Sequence, residues 1–144
     1  MKRVLSISFV ILGLFCLTGC GKNTLSCSKS NDDSADIKIS EERKIVFKKN
    51  RVNKLSMRMD VKLSDIYLEN RDNLIQSVEN EYSNLPTNAV KYSFTNTSDG
   101  FKFAIKMNFD KLNEDVKKEI AVIDYEGSYD EIREDLEDSG FTCK

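Results

Sequence analysis

The chain predicts an α+β fold, a two-layer sandwich in which an antiparallel sheet of about five strands carries helices packed on one face. Three observations carry that expectation. Apolar residues alternate with period two over long stretches, strictly so through Leu55, Met57, Met59, Val61 and Leu63, which is the mark of half-buried strands. Such stretches come in pairs separated by short polar turns, as hairpins do. Elsewhere the apolar spacing becomes helical, as in Leu74, Ile75, Val78, Tyr82 and Leu85. Strands apolar on one side only suit an antiparallel sheet with a covered and an open face.

The first residues stand apart from this pattern. Met1-Lys2-Arg3 is a short positive start, followed by an apolar run from Val4 to Leu17 broken only by Ser6, Ser8 and Gly13. A membrane span needs ~20 apolar residues, so the run is short for one and suits a secretory signal. It closes in Leu17-Thr18-Gly19-Cys20, which resembles the lipobox of bacterial lipoproteins. The resemblance implies cleavage between Gly19 and Cys20 and diacylglycerol on the Cys20 sulfur. Palmitate or another acyl chain on the new amino terminus is left open. An ordinary signal peptide with a chance cysteine, or an uncleaved anchor, is the competing reading. Two acyl chains give stable anchoring where one does not. The expected organisation is a signal peptide over 1–19, a lipidated cysteine and tether over 20–24, and one domain over 25–144. The expected location is the extracytoplasmic face of a bacterial cell membrane, with membrane lipid as a partner through Cys20.

Removing residues 1–19 from the 144 leaves 125, enough for one domain with a real core. Loss of Lys2 and Arg3 takes the formal net charge from −2 to −4, which argues against nucleic acid as a partner. Of the four cysteines, Cys16 leaves with the signal and Cys20 takes the lipid. Cys27 and Cys143 remain, and an even pair in an exported domain reads most simply as a disulfide, two free thiols being the alternative.

Within the domain, Leu25 to Ser28 reads as a first short strand and Asn31 to Ser34 as a polar turn. Ile37, Ile39, Ile45 and Phe47 share one face of the next strand, interrupted by Glu41 and Arg43. For that row and the Leu55–Leu63 row to face one core, odd residues must oppose odd ones. A three-residue loop around Lys49-Asn50-Arg51 then places Ile45 opposite Leu55, Ile39 opposite Val61 and Ile37 opposite Leu63. Ser64 or Asp65 caps a helix running to about Leu85, which Pro86 stops. A second hairpin turns at Thr97-Ser98-Asp99-Gly100, with Tyr92 facing Ile105 and Phe94 facing Phe103. Asp110 to about Ala121 reads as a modest amphipathic helix, and residues 122–127 as loop or a short extended piece. Ser128-Tyr129-Asp130-Glu131 is a capping box that opens a last helix, ended by Ser139-Gly140.

With these motifs in place, the chain resembles the YehR-like group of small bacterial lipoproteins over nearly its whole exported length. The likeness rests on Leu17-Thr18-Gly19-Cys20, the stretch from Ile45 to Leu55, the helix before Pro86 and the closing Ser128-Tyr129 helix ending in Gly140-Phe141. It implies an α/β domain with no assigned function and no catalytic residues to carry over.

The residues themselves offer little chemistry. There is no histidine, so the commonest general base and metal ligand is missing. No glycine-rich phosphate loop, nucleophile elbow or calcium loop is present, and no cofactor or metal is expected. The acids Glu131, Glu134, Asp135, Glu137 and Asp138 read as the solvated face of one helix. The feature that invites a function is charge. Lys38, Lys44, Arg58, Lys62, Lys102 and Lys106, with Lys48, Lys54 and Lys91, fall on the outward side of the strands against Glu42 and Asp60. Lysine there keeps exposed strands soluble. It would equally suit anionic headgroups or wall polymers. The expected function is a non-enzymatic binding or interaction domain of the cell envelope. A small-ligand carrier is the alternative, and an enzyme is expected less than either.

Overall fold

The computed structural model describes residues 23–31, 36–120, 123–124 and 126–144. The signal segment, Gly19, Cys20 and the turn residues Asp32 to Ser34 lie outside the described residues, so the readings placed on them carry over unchanged as expectations. Among the described residues the fold is α+β, with a six-stranded antiparallel sheet and four helices. Its strands are β1 (Thr24–Asn31), β2 (Ile37–Lys48), β3 (Arg51–Leu63), β4 (Val90–Thr97), β5 (Gly100–Asn108) and β6 (Thr142–Cys143). They lie in the order β4-β5-β3-β2-β1-β6. The expectation of about five strands is corrected by β6, whose two residues are too short to show any alternation.

Parity sets the register. Ile45 faces Leu55, Ile39 faces Val61 and Ile37 faces Leu63, because any one-residue slip would turn both apolar rows to solvent. The loop that achieves this is not the odd-length one expected. Lys49 and Asn50 alone form the turn, with φ of 52° and 59°. Positive φ at both central residues matches the twist of the flanking strands. A two-residue turn would by itself put odd against even. The register shift at Val46/Phe47 leaves Asn53 without a partner and restores parity by one extra residue, as a bulge does. At the second hairpin Tyr92 faces Ile105 and Phe94 faces Phe103, as expected. Gly100 is required there, since a Cβ would sit 1.9 Å from the Val61 carbonyl oxygen.

One row across five strands, Leu25, Ile45, Leu55, Met107 and Val90, forms the centre of the core. Each of these residues is at most 4 % exposed. Burying such a side chain contributes ~1.5–3 kcal/mol relative to leaving it in water. The same face carries Glu41 and Arg43, the two charges that break the apolar row of β2. The Arg43 guanidinium donates to the Glu41 carboxylate at 2.5 Å and lies 4.9 Å from the centre of the Phe141 ring. The pair is therefore satisfied where it sits.

The helices are α1 (Asp65–Leu68), α2 (Arg71–Tyr82), α3 (Glu114–Glu119) and α4 (Tyr129–Asp138). The single helix expected from Ser64 to Leu85 is two, broken at Glu69-Asn70. Ser64 occupies the N-cap position without a side-chain capping bond. The break leaves Ile66 75 % and Tyr67 39 % exposed, so Tyr67 does not extend the apolar stripe of α2. Tyr82 stacks on Phe103 at 5.5 Å and meets Tyr92 at 6.2 Å. The helix expected from Asp110 to Ala121 is a 3-10 turn, Phe109–Lys111, then α3, whose Asn113 side chain accepts from the Val116 amide. The capping box of α4 is formed in both directions, Ser128 to Glu131 and Glu131 to Ser128. Gly140, at φ +88°, ends it, and the Phe141 amide returns to the Leu136 carbonyl. Lys29 donates to the Ser139 carbonyl at 2.6 Å, placing a cation at the negative end of α4.

Candidate functional site

Every residue that alternates with the core row points to the other face of the sheet, which no described helix covers. On that face the register brings four cations around one serine. Ser56 on β3 lies directly between Lys44 of β2 and Lys106 of β5. Along β3 itself, Lys54 and Arg58 are two residues to either side, so both point the same way. Paired residues stand ~5 Å apart across strands, and i, i+2 neighbours ~7 Å apart along one. Ser56 is half-buried, while the four cations are exposed.

The remaining cations expected on this face divide by their partners. Lys62 meets Asp99 at 3.4 Å and Lys102 meets Asp60 at 3.2 Å. Desolvation opposes ionisation of Asp99, but hydrogen bonds from Thr97 and Lys62 hold its carboxyl below the ordinary range. Lys48 is engaged by Asp110 at 3.2 Å, and that bond, aided by one from Asn53, likewise lowers the Asp110 carboxyl. Lys38 pairs in register with Lys62 at the far end of the sheet, away from Ser56. By contrast Lys44, Lys54, Arg58 and Lys106 make no ion pair among the described residues. Glu42 stands opposite Arg58 in register. Like charges directly opposite each other destabilise a sheet, as Lys91 and Lys106 do here, whereas the four cations around Ser56 are one residue position further apart.

The cluster borders a trough of about 530 Å3 lined by the small residues Ser26, Ser28, Ser56, Ala104 and Thr142, with the exposed Glu42 between Ser28 and Arg58 in register. Small residues on neighbouring strands leave this hollow between the longer basic side chains. Hydroxyls and ammonium groups around one depression can donate hydrogen bonds to an anionic oxygen. Alternation in the sequence places Lys44, Lys54, Arg58 and Lys106 on this face, but nothing in it marks Ser56 or the floor. It has no means to pair β3 with β5, which are separated by two helices and a strand.

Cys27 and Cys143 are opposite each other on β1 and β6, with sulfurs at disulfide distance, 1.99 Å, and Cα atoms 4.1 Å apart. The bond fixes the short strand that carries Thr142 into the trough wall. No group of three or more metal-binding side chains is found among the described residues. No helix among them is long and apolar enough to cross a membrane. Tyr82 has its hydroxyl pKa raised, first by burial and then by the Glu81 charge, in keeping with a packing role. No family model matches the chain, and no curated protein or solved structure shows significant similarity to it.

Proposed function

We propose that the chain is exported and anchored through a lipid on Cys20, and that its domain is a non-enzymatic binding module of the cell envelope. The signal-like start closing in Leu17-Thr18-Gly19-Cys20 supports the address, and the basic sheet face supports the activity. The domain takes hold of an anionic partner through Lys44, Lys54, Arg58 and Lys106 around Ser56. The observation that carries this is four exposed cations gathered around Ser56 on an open face, none of them in an ion pair among the described residues. Only three peptide units separate Cys20 from Asn23, whose carbonyl accepts from the Phe47 amide at 2.7 Å. Three Cα steps reach at most ~11 Å. An anchored domain would thus hold this face within reach of the membrane surface, where each basic residue near anionic headgroups is worth ~1 kcal/mol.

The test has two parts. Intact mass of the membrane-extracted protein should show loss of residues 1–19 and a diacylglyceryl addition, and Cys20→Ser should release the product to the medium. Purified chain should prefer anionic over neutral vesicles at low salt, and salt should weaken that preference. Equal binding to both would remove lipid headgroups as the partner of the basic face. A second reading, a small-ligand carrier, is favoured by a hollow of about 610 Å3 between α2 and α3, where Tyr82, Leu85, Val116 and Ile120 are joined by Glu81, Asn84 and Glu119. Saturable uptake of an apolar dye, abolished by Leu85→Arg, would select it.

A further inference from the structure

We propose that the partner is a single linear polyanion of the phosphodiester class, lying along a lysine–serine row that crosses the whole sheet. The inference rests on the anion-binding reading above and specifies what is bound. The register builds the row one strand at a time. Ser26 pairs with Lys44, Lys44 with Ser56, Ser56 with Lys106, and Lys106 with Lys91. At the other edge Lys144 exchanges both backbone hydrogen bonds with Ser26, at 3.2 and 2.8 Å. Read across the six strands, the row is Lys144, Ser26, Lys44, Ser56, Lys106, Lys91.

Neighbouring strands lie ~4.8 Å apart, so from Lys144 to Lys106 a cation recurs about every 10 Å with a hydroxyl between. All four lysines of the row are exposed, and none makes an ion pair among the described residues. The trough of about 530 Å3 follows this row and the next one, Thr142, Ser28, Glu42, Arg58 and Ala104, in which the Glu42 carboxylate stands opposite Arg58 and leaves the Lys144–Lys106 row as the cationic side. Its length across the strands and its floor of small side chains decide between partners. A bilayer surface is broad and flat at this scale. It would meet the tips of every lysine on the face, including Lys38 and Lys62, and would not reach the serines. A chain one repeat wide can enter the trough, where ammonium groups meet its oxyanions and the serine hydroxyls donate to the same oxygens. Phosphodiester repeats keep a charge at regular intervals, as the row does from Lys144 to Lys106.

The experiment uses the full chain in a non-ionic detergent at low salt. It is titrated with poly(glycerol phosphate) long enough to span ~25 Å, and with monomeric glycerol phosphate. The polymer should saturate at one chain per protein and bind at least ~100-fold tighter than the monomer, since later contacts form at high effective concentration. Lys44→Gln and Lys106→Gln should each weaken polymer binding about fivefold. Ser56→Asp should abolish it while circular dichroism shows the fold retained. Lys38→Gln and Lys62→Gln remove the same charge off the row and should change it less than twofold. Equal losses at Lys38 or Lys62 would overturn the track, as would a monomer that binds as well as the polymer. Binding to anionic vesicles without binding to polymer would assign the face to lipid headgroups, overturning this inference and leaving the anion-binding reading standing. Binding to neither would overturn both.

Discussion

Removing the Cys27–Cys143 bond should cost this domain a large part of its stability. The two cysteines are 116 residues apart, so the bond closes almost the entire described chain into one loop. In the chain-entropy model, closing a loop of that size removes unfolded-state freedom worth about 5 kcal/mol, with measured losses for native bonds of ~2–5 kcal/mol. A domain of this length has ~5–15 kcal/mol in total. The folded side of the balance points the same way. Strand β6 has two residues, and Cys27 is only 3 % exposed. Without the bond, few contacts hold the end of the chain to β1. The assay is urea unfolding at 25 °C of the oxidised chain, the reduced chain and a Cys27→Ala, Cys143→Ala variant. The last avoids burying a hydroxyl beside the core. Both uncrosslinked forms should unfold at a midpoint lower by ~1–3 M urea, for m-values of ~1–3 kcal/mol/M. Hydrogen exchange should show the Ser26 and Lys144 amides losing protection first. Free energies within 1 kcal/mol of each other would refute the reasoning, either because the sulfurs are not joined in solution or because the unfolded chain stays compact.

Other perturbations have sharper local causes. Gly100→Ala should destabilise by ~2 kcal/mol or more, because backbone must move away from the new Cβ near Val61; thermal melting checks it. Ser128→Ala should cost ~0.5–2 kcal/mol by opening the capping box of α4, measurable by denaturant unfolding. The same box predicts a pH effect. Hydrogen bonds from the Ser128 backbone and hydroxyl lower the Glu131 carboxyl below its ordinary value of 4.5, so its contribution is full above that pH and is lost as acid protonates the folded form. An acid titration of stability should lose this component in the Glu131→Gln variant. Arg43→Met alone should destabilise by ~3 kcal/mol by leaving the Glu41 carboxylate unpaired at 16 % side-chain exposure, whereas Glu41→Leu with Arg43→Met should recover most of it. A double-mutant cycle decides.

How much of this could be read beforehand depended on whether the cause was local. The pairs Ile45–Leu55 and Phe94–Phe103 were legible because period two admits only one parity once a core face is chosen. The Lys49-Asn50 turn was not, since a three-residue loop and a two-residue turn with a bulge at Asn53 satisfy parity equally. The capping box was legible because both partners lie within four residues. The break at Glu69-Asn70 was not, because no proline or glycine marks it and the apolar spacing continues roughly through. For the site, alternation showed which lysines point outward. What gathers Lys44 and Lys106 around Ser56 is the β3–β5 pairing, and what adds Thr142 is β6 against β1. Both depend on tertiary packing, which leaves no mark on local spacing.

The claim on which the functional account turns is that the open sheet face near Ser56 is where the protein meets its partner. Amide chemical-shift mapping of the full chain in detergent, titrated with poly(glycerol phosphate), tests it residue by residue. The account predicts saturable shifts centred on Ser26, Lys44, Ser56 and Lys106, with α2 and α3 silent. Shifts confined to the hollow around Leu85 and Ile120, or spread evenly over every exposed lysine, would contradict it.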